Sequence, residues 1–212
     1  MCRDEGTAAG KAIVSVSGAL PDTVYDGTRS SPILSWIDAG GTLYWAGNVI
    51  GMYLASASAI SEHPSGPSLF IGDSGWCSSE DKYCTESYGD LAGILGLRGT
   101  DLLFAPEMGG NVYSTGYSDG TYSTVSYLRH GSGEICIISG ALVPDHYFTM
   151  SQLICSGTSY GSEILGSVSG TVDHRSVSGS FVLSDPSEDV TVYVFIGKGA
   201  DYTVYGRSFR TG

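Results

Sequence analysis

Hydrophobic residues in the first sixty positions alternate between strand-like runs and helix-like spacing. The β-branched run at 11–17 predicts a buried strand, and the apolar positions of 32–37, which follow a serine and begin with proline, predict a helix. The glycine pair at 40–41 ends that helix, the run at 42–47 predicts a second strand, and the stretch at 52–60 is compatible with a helix after a tight turn. This order is typical of a parallel sheet with crossover helices.

The middle of the chain is less regular. Residues 61–90 are rich in Ser, Gly, Pro and acidic groups, which predicts a surface excursion. The Gly, Tyr, Ser and Thr alternation at 109–124 predicts exposed hairpin strands, and 133–140 is the most apolar strand-like run. Pro144 opens a predicted helix. From residue 161, four strand-like runs separated by turn residues predict an antiparallel β extension or small lobe over 161–212.

Composition and charge narrow the function classes. The chain has 31 glycines, 14 tyrosines and only 15% charged residues, a profile typical of extracellular, strand-rich proteins. We therefore expect an exported or surface protein whose targeting segment lies outside this chain, although the composition leaves the compartment open. The net charge of −12, without a basic stripe, argues against nucleic-acid binding, and no apolar run approaches the roughly 20 residues needed to span a bilayer.

Five cysteines leave at least one thiol unpaired. Cys77 and Cys84 flank a short polar loop, which suits a small disulfide in an oxidising compartment. Cys136 and Cys155 lie in apolar runs, where we expect small buried hydrophobic side chains. The spacing of the cysteines does not match zinc ligands, and the scattered carboxylates lack the spacing of a calcium loop, so we expect no metal and no cofactor.

One motif carries a possible chemistry. Gly47-Asn48-Val49-Ile50-Gly51 follows the second predicted strand, and such a Gly-x-x-x-Gly turn before a helix lifts its central side chain above the sheet edge. This turn follows a predicted helix, a glycine pair and a predicted strand, and the run 129–139 comes later in the chain. The whole arrangement resembles the class I glutamine amidotransferase-like superfamily over about residues 11–160. The resemblance implies a flavodoxin-like three-layer α/β domain with a mostly parallel sheet over 1–160.

The departure from that family concerns catalysis. Where the active families carry a nucleophilic cysteine, this chain has Val49, which has no lone pair to offer. The His-x-Glu pair of the family is also missing, since His146 has no acid two residues later. We therefore expect no catalytic residues and a non-catalytic module with a binding or assembly role toward a small molecule or protein. Open α/β sheets bind ligands beyond the carboxyl ends of their strands, and the candidate ligand-binding residues there are Ser17, Gly18, Gly47, Asn48, Val49 and His146.

A hydrolase is the alternative. It would use carboxylates or His146 in the same crevice, and Glu107 and Asp73 are the acids that we would inspect first. His130 and His146 could also approach the carboxyl edge of the sheet as bases, although histidines in such positions are more often structural hydrogen-bonding groups.

Overall fold

The structure, a computed structural model, describes residues 8–79, 95, 97, 101–140, 144–161, 190–198 and 201–209. Its helices are α1 (Pro32–Asp38), α2 (Ser68–Ile71) and α3 (Pro144–Ser156). Its strands are β1 (Ala12–Ser15), β2 (Leu20–Pro21), β3 (Thr42–Ala46), β4 (Tyr53–Ala55), β5 (Ile60–Glu62), β6 (Val112–Ser114), β7 (Val125–His130), β8 (Gly133–Ile138), β9 (Val190–Lys198) and β10 (Asp201–Phe209).

The main sheet has five strands in the order β1-β3-β8-β7-β6. β1, β3 and β8 are mutually parallel, with Ala12 opposite Thr42 and Ala46 opposite Ile138. β7 is antiparallel to β8, and β6 is antiparallel to β7, so β6 runs in the same direction as β8. The fold is therefore mixed α/β, and the parallel pairing of the first two predicted strands is confirmed. β1 lies at the end of the strand order, and Val14 is 49% exposed, so the prediction of a fully buried first strand was wrong.

Apolar side chains cover both faces of this sheet. On one face the buried side of α1, which includes Trp36 and Ile37, packs in one cluster with Leu43 and Trp45 of β3. On the other face Met150 and Leu153 of α3 join a second cluster built on β3, β7 and β8. The helix predicted from the spacing at 32–37 is confirmed, and its apolar stripe is the surface that the sheet buries.

The helix predicted for 52–60 was wrong. This segment forms β4 and β5, which pair with each other and with β2 in a separate three-stranded sheet. The reversal between them depends on Ser56, whose backbone N–H donates to the carbonyl oxygen of Ala59 and whose Oγ accepts the Ala59 N–H. A serine that binds nearby backbone groups in this way favours a turn over a helix.

In the C-terminal region, β9 and β10 form an antiparallel hairpin with Asp201 opposite Lys198 and Phe209 opposite Val190. Two of the four predicted runs correspond to these strands, and the runs at 164–172 and 177–183 lie outside the described residues. The division at residue 160 stays a prediction. Within the described ranges, every helix is too short or too polar to cross a membrane.

Candidate functional site

The carboxyl ends of the parallel strands bring most of the predicted site together. The segment after β1 meets the segment after β3, because a Cβ atom at Gly47 would lie 2.6 Å from the Cα of Gly18, and one at Gly18 would lie 2.9 Å from the backbone nitrogen of Asn48. Both glycines also have positive φ, +72° at Gly18 and +129° at Gly47. Glycine is required here both for the backbone conformation and for the close approach.

The turn after β3 is sharp, as the motif predicts, but it does not enter a helix. Trp45 Nε1 donates to the Asn48 carbonyl oxygen at 2.7 Å, and the Met52 N–H donates to the Val49 carbonyl oxygen at 3.1 Å, after which β4 begins. The expectation that a helix follows the turn was therefore wrong, because β2 and β5 recruit 53–55 as a strand. The partial positive charge of a helix N-terminus is absent from Val49.

Two side chains of this turn differ in their exposure to solvent. Val49 is only 5% exposed, so the central position of the turn holds a buried aliphatic group. Asn48 is exposed, and in the part of the chain that the structure describes its side-chain amide makes no hydrogen bond. An amide offers two donors and an acceptor, so Asn48 is the group at this edge that is best able to bind a polar ligand.

A third segment, 101–105, lies against the carboxyl end of β8. Ser139 Oγ donates to the Asp101 carbonyl oxygen at 2.7 Å, and the Gly140 N–H donates to the Leu103 carbonyl oxygen at 2.6 Å. The Asp101 carboxylate accepts the Leu103 N–H at 2.9 Å. The Ala105 N–H donates to Leu102 across a turn whose third residue has a φ of +65°. The position of 101–105 at this edge was not predicted from the sequence.

The structure gives less support for a ligand-binding role of the other predicted site residues, Ser17 and His146. Ser17 is exposed, and its hydroxyl donates to the Ala19 carbonyl oxygen at 2.7 Å, so it can only accept a further bond with its free lone pair. His146 lies in the first turn of α3, which follows the carboxyl end of β8, and its role stays a prediction. Burial raises the pKa of the Cys136 thiol, which disfavours its reactive thiolate form.

The amino edge of the sheet carries a network that the sequence analysis missed. His130 Nδ1 lies 2.8 Å from Asp38 Oδ1, and His130 Nε2 lies 2.9 Å from both the Leu69 carbonyl oxygen and Arg29 Nη1. Arg29 Nη1 also donates to Leu69 O at 3.0 Å, and its second nitrogen lies 3.6 Å from Asp38 Oδ2. Both ring nitrogens are therefore occupied by the protein.

His130 is a structural hydrogen-bonding group, and it does not lie at the carboxyl edge of the sheet. β7 is antiparallel to β8, and His130 pairs with Gly133 at the start of β8, so it lies at the amino edge and not at the carboxyl edge. With carboxylate on one nitrogen and a carbonyl and guanidinium on the other, the imidazole has no open approach for a substrate. The buried His130 therefore connects β7 to α1 through Asp38 and to α2 through the Leu69 carbonyl oxygen.

The cysteines and the candidate acids also have defined places. Cys77 is buried with a free thiol, and Cys84 lies outside the described residues, so their disulfide stays a prediction. Cys155 is exposed, which corrects the expectation that it is buried. Asp73 and Glu107 are exposed, and Glu107 bonds through its N–H to the Gly75 carbonyl oxygen at 2.8 Å. Both side chains are therefore in contact with solvent.

No metal site emerges from the described part of the chain, in which no three His, Cys, Asp or Glu residues are grouped closely enough to hold an ion. Comparisons of the chain with protein-family models, with curated proteins and with solved structures found no match. The contacts at the two sheet edges are therefore the observations from which a function can be inferred.

Proposed function

We propose that this protein is a non-catalytic binding module whose ligand site lies at the carboxyl edge of β1, β3 and β8. The observation that carries the proposal is the exposed, unbonded amide of Asn48 on a turn that two glycines hold against the end of β1. Rigid backbone segments that present a free hydrogen-bonding group are suited to orienting a ligand.

We further propose that the α/β region is a flavodoxin-like, amidotransferase-like domain that lacks the family's nucleophile. Support comes from the parallel β1 and β3, the α1 crossover and the sharp turn with Val49 in its centre. The strand that follows the turn is the departure, and it removes the helix dipole that would activate a thiol at that position. Both Val49 and this departure favour binding over amide hydrolysis.

A thermal-shift screen of small molecules on the wild type and on Asn48→Ala tests the proposal. A compound present at about 100 times its Kd stabilises the folded state by about 2.7 kcal/mol, which corresponds to a rise in Tm of about 5 to 10 °C. We expect such a rise in the wild type and its loss in Asn48→Ala. Asn111→Ala is the matched control, because Asn111 is an exposed asparagine elsewhere on the sheet and should leave binding unchanged.

The hydrolase alternative is tested in parallel. Glutamine and a chromogenic ester are incubated with the wild type and with His146→Ala. We expect no turnover above the rate in buffer for either protein. Turnover by the wild type that His146→Ala abolishes would replace the binding proposal with the hydrolase.

A further inference from the structure

Phe104 has a backbone conformation that its residue type disfavours. Its φ is +65°, and no other non-glycine residue in the described ranges has a positive φ. The Ala105 N–H donates to the Leu102 carbonyl oxygen at 2.9 Å, which places Phe104 third in a tight turn of the type that normally has glycine there. A bulky residue in the left-handed region is a conformational outlier that calls for a reason.

Packing within the described residues does not supply that reason. Leu102 and Ala105, which flank the turn, are fully buried and form a small core cluster with Cys77. Phe104 is only half-buried, and it is absent from the partly buried side chains that pack against the three core clusters of the described chain. The buried Leu102 and Ala105 hold the turn in place, so the Phe104 side chain is not needed for that purpose. A glycine at this position would have no conformational strain.

The turn lies beside the proposed ligand site. The Phe104 N–H donates to the Cys77 carbonyl oxygen at 2.8 Å, and the preceding Leu103 carbonyl oxygen accepts the Gly140 N–H at 2.6 Å. Gly140 follows the end of β8, and Asn48 follows the end of β3 and lies against Gly18, which follows β1. Phe104 and Asn48 therefore lie at the same carboxyl edge, Phe104 on the side of β8 and Asn48 on the side of β1.

We propose that Phe104 is a specificity-determining residue of this site, which takes a small uncharged ring compound bearing an amide or hydroxyl group. This inference rests on the proposed binding function. The phenyl ring supplies a face for stacking and Asn48 supplies the hydrogen bonds. The net charge of −12 disfavours anionic ligands.

The experiment uses the full chain and the variants Phe104→Gly, Phe104→Leu and Asn48→Ala. Thermal unfolding is measured for each, and binding is followed by ligand-observed NMR with benzamide, benzoate and acetamide. Phe104→Gly relieves the backbone, so we expect its Tm to rise by about 2 to 4 °C, whereas Phe104→Leu keeps the strained conformation and should not show this rise. Benzamide should bind the wild type and lose at least about fivefold in affinity in all three variants. Benzoate, which is anionic, and acetamide, which lacks a ring, should bind more weakly than benzamide.

A lower Tm of Phe104→Gly would overturn the inference, because it would make the ring a structural element. Equal benzamide binding by the wild type and both Phe104 variants, or no benzamide binding by the wild type, would also overturn it.

Failure of the role of Phe104 can be distinguished from failure of the proposed function. If the screen yields compounds whose binding depends on Asn48 but not on Phe104, the role of Phe104 is wrong and the binding site remains. If no compound depends on Asn48, the proposed site itself is wrong.

Discussion

The two edges of the five-stranded sheet use polar groups in opposite ways. At the amino edge, His130, Asp38 and Arg29 are joined to one another and to the Leu69 carbonyl oxygen. At the carboxyl edge, Asn48 is exposed with an unbonded amide, and glycines hold the backbone around it. The histidine-carboxylate pair has the more familiar catalytic residues, yet its bonds are directed inward. The difference teaches that a candidate site is better located by side chains whose hydrogen-bonding groups the protein leaves open to solvent than by residue type.

Gly47→Ala should have the largest effect on stability. The new Cβ would lie 2.6 Å from the Cα of Gly18, where only backbone can give way, and φ at this position is +129°. We expect the free energy of unfolding to fall by about 3 kcal/mol, from overpacking together with left-handed strain. Urea denaturation measures it.

Gly109→Ala is the matched control for that change. Its φ of +120° is similar, but no atom lies within 4 Å of the added Cβ, so only the conformational cost of about 1 kcal/mol should remain. Equal losses in the two variants would mean that the contact between the segments after β1 and β3 does not constrain the site.

His130→Ala should have the next largest effect. His130 is 6% exposed and bonds to two elements of the structure, so its removal leaves Asp38 without a buried partner. We expect a loss of about 2 kcal/mol in the free energy of unfolding, with ligand binding at the carboxyl edge unchanged. A loss below about 0.5 kcal/mol, the usual range for surface changes, would show that the amino edge is not a tether.

The exposed polar residues Arg29 and Asn48 allow a direct comparison of the edges. Arg29→Ala removes bonds to Leu69 and His130 and should cost about 1 kcal/mol, whereas Asn48→Ala should change stability by less than about 0.5 kcal/mol. Trp45 contacts the backbone oxygen of Asn48, which alanine retains. A greater loss in Asn48→Ala would assign Asn48 a structural role.

The acid sensitivity of the loop that carries Arg29 should be the smallest effect. Hydrogen bonds from Ser31 and Thr28 lower the pKa of Asp26 to about 2, from an ordinary value of 3.8. A depressed carboxyl pKa contributes stability that is fully present above pH 3.8 and is lost as the pH falls through 2. We expect Asp26→Asn to flatten the pH dependence of the free energy of unfolding in that window. An unchanged pH dependence in this variant would show that Asp26 does not contribute to it.

Local patterns predicted much of the sheet. The spacing of Ile33, Leu34, Trp36 and Ile37 predicted α1, and the apolar runs before and after it predicted β1 and β3. α1 buries the apolar face that its own periodicity defines, and β3 is a continuous apolar run, so each can be recognised from a short window. The turn at Gly47 and Gly51 was predicted for the same reason, because two glycines around a short apolar segment permit a sharp reversal.

Long-range relationships were not predictable in this way. The segment 52–60 has helix-compatible composition, and it becomes β4 and β5 because β2, more than thirty positions earlier, offers a pairing edge. The His130–Asp38 bond joins residues 92 positions apart. Phe104 carries no local glycine or asparagine signal for a positive φ, so its turn depends on contacts with Cys77 and Gly140 that a single sequence does not reveal.

The reversal of direction at β7 separates the strands that end at the carboxyl edge into two groups. β1, β3 and β8 end there side by side, and β6 ends there beyond the start of β7. Neighbouring strands lie about 4.8 Å apart, so the ends of β1 and β8 are roughly 10 Å apart with β3 between them. That distance is comparable with the length of one six-membered ring with its substituents, so a monomeric compound is long enough to reach the segments that follow all three strands.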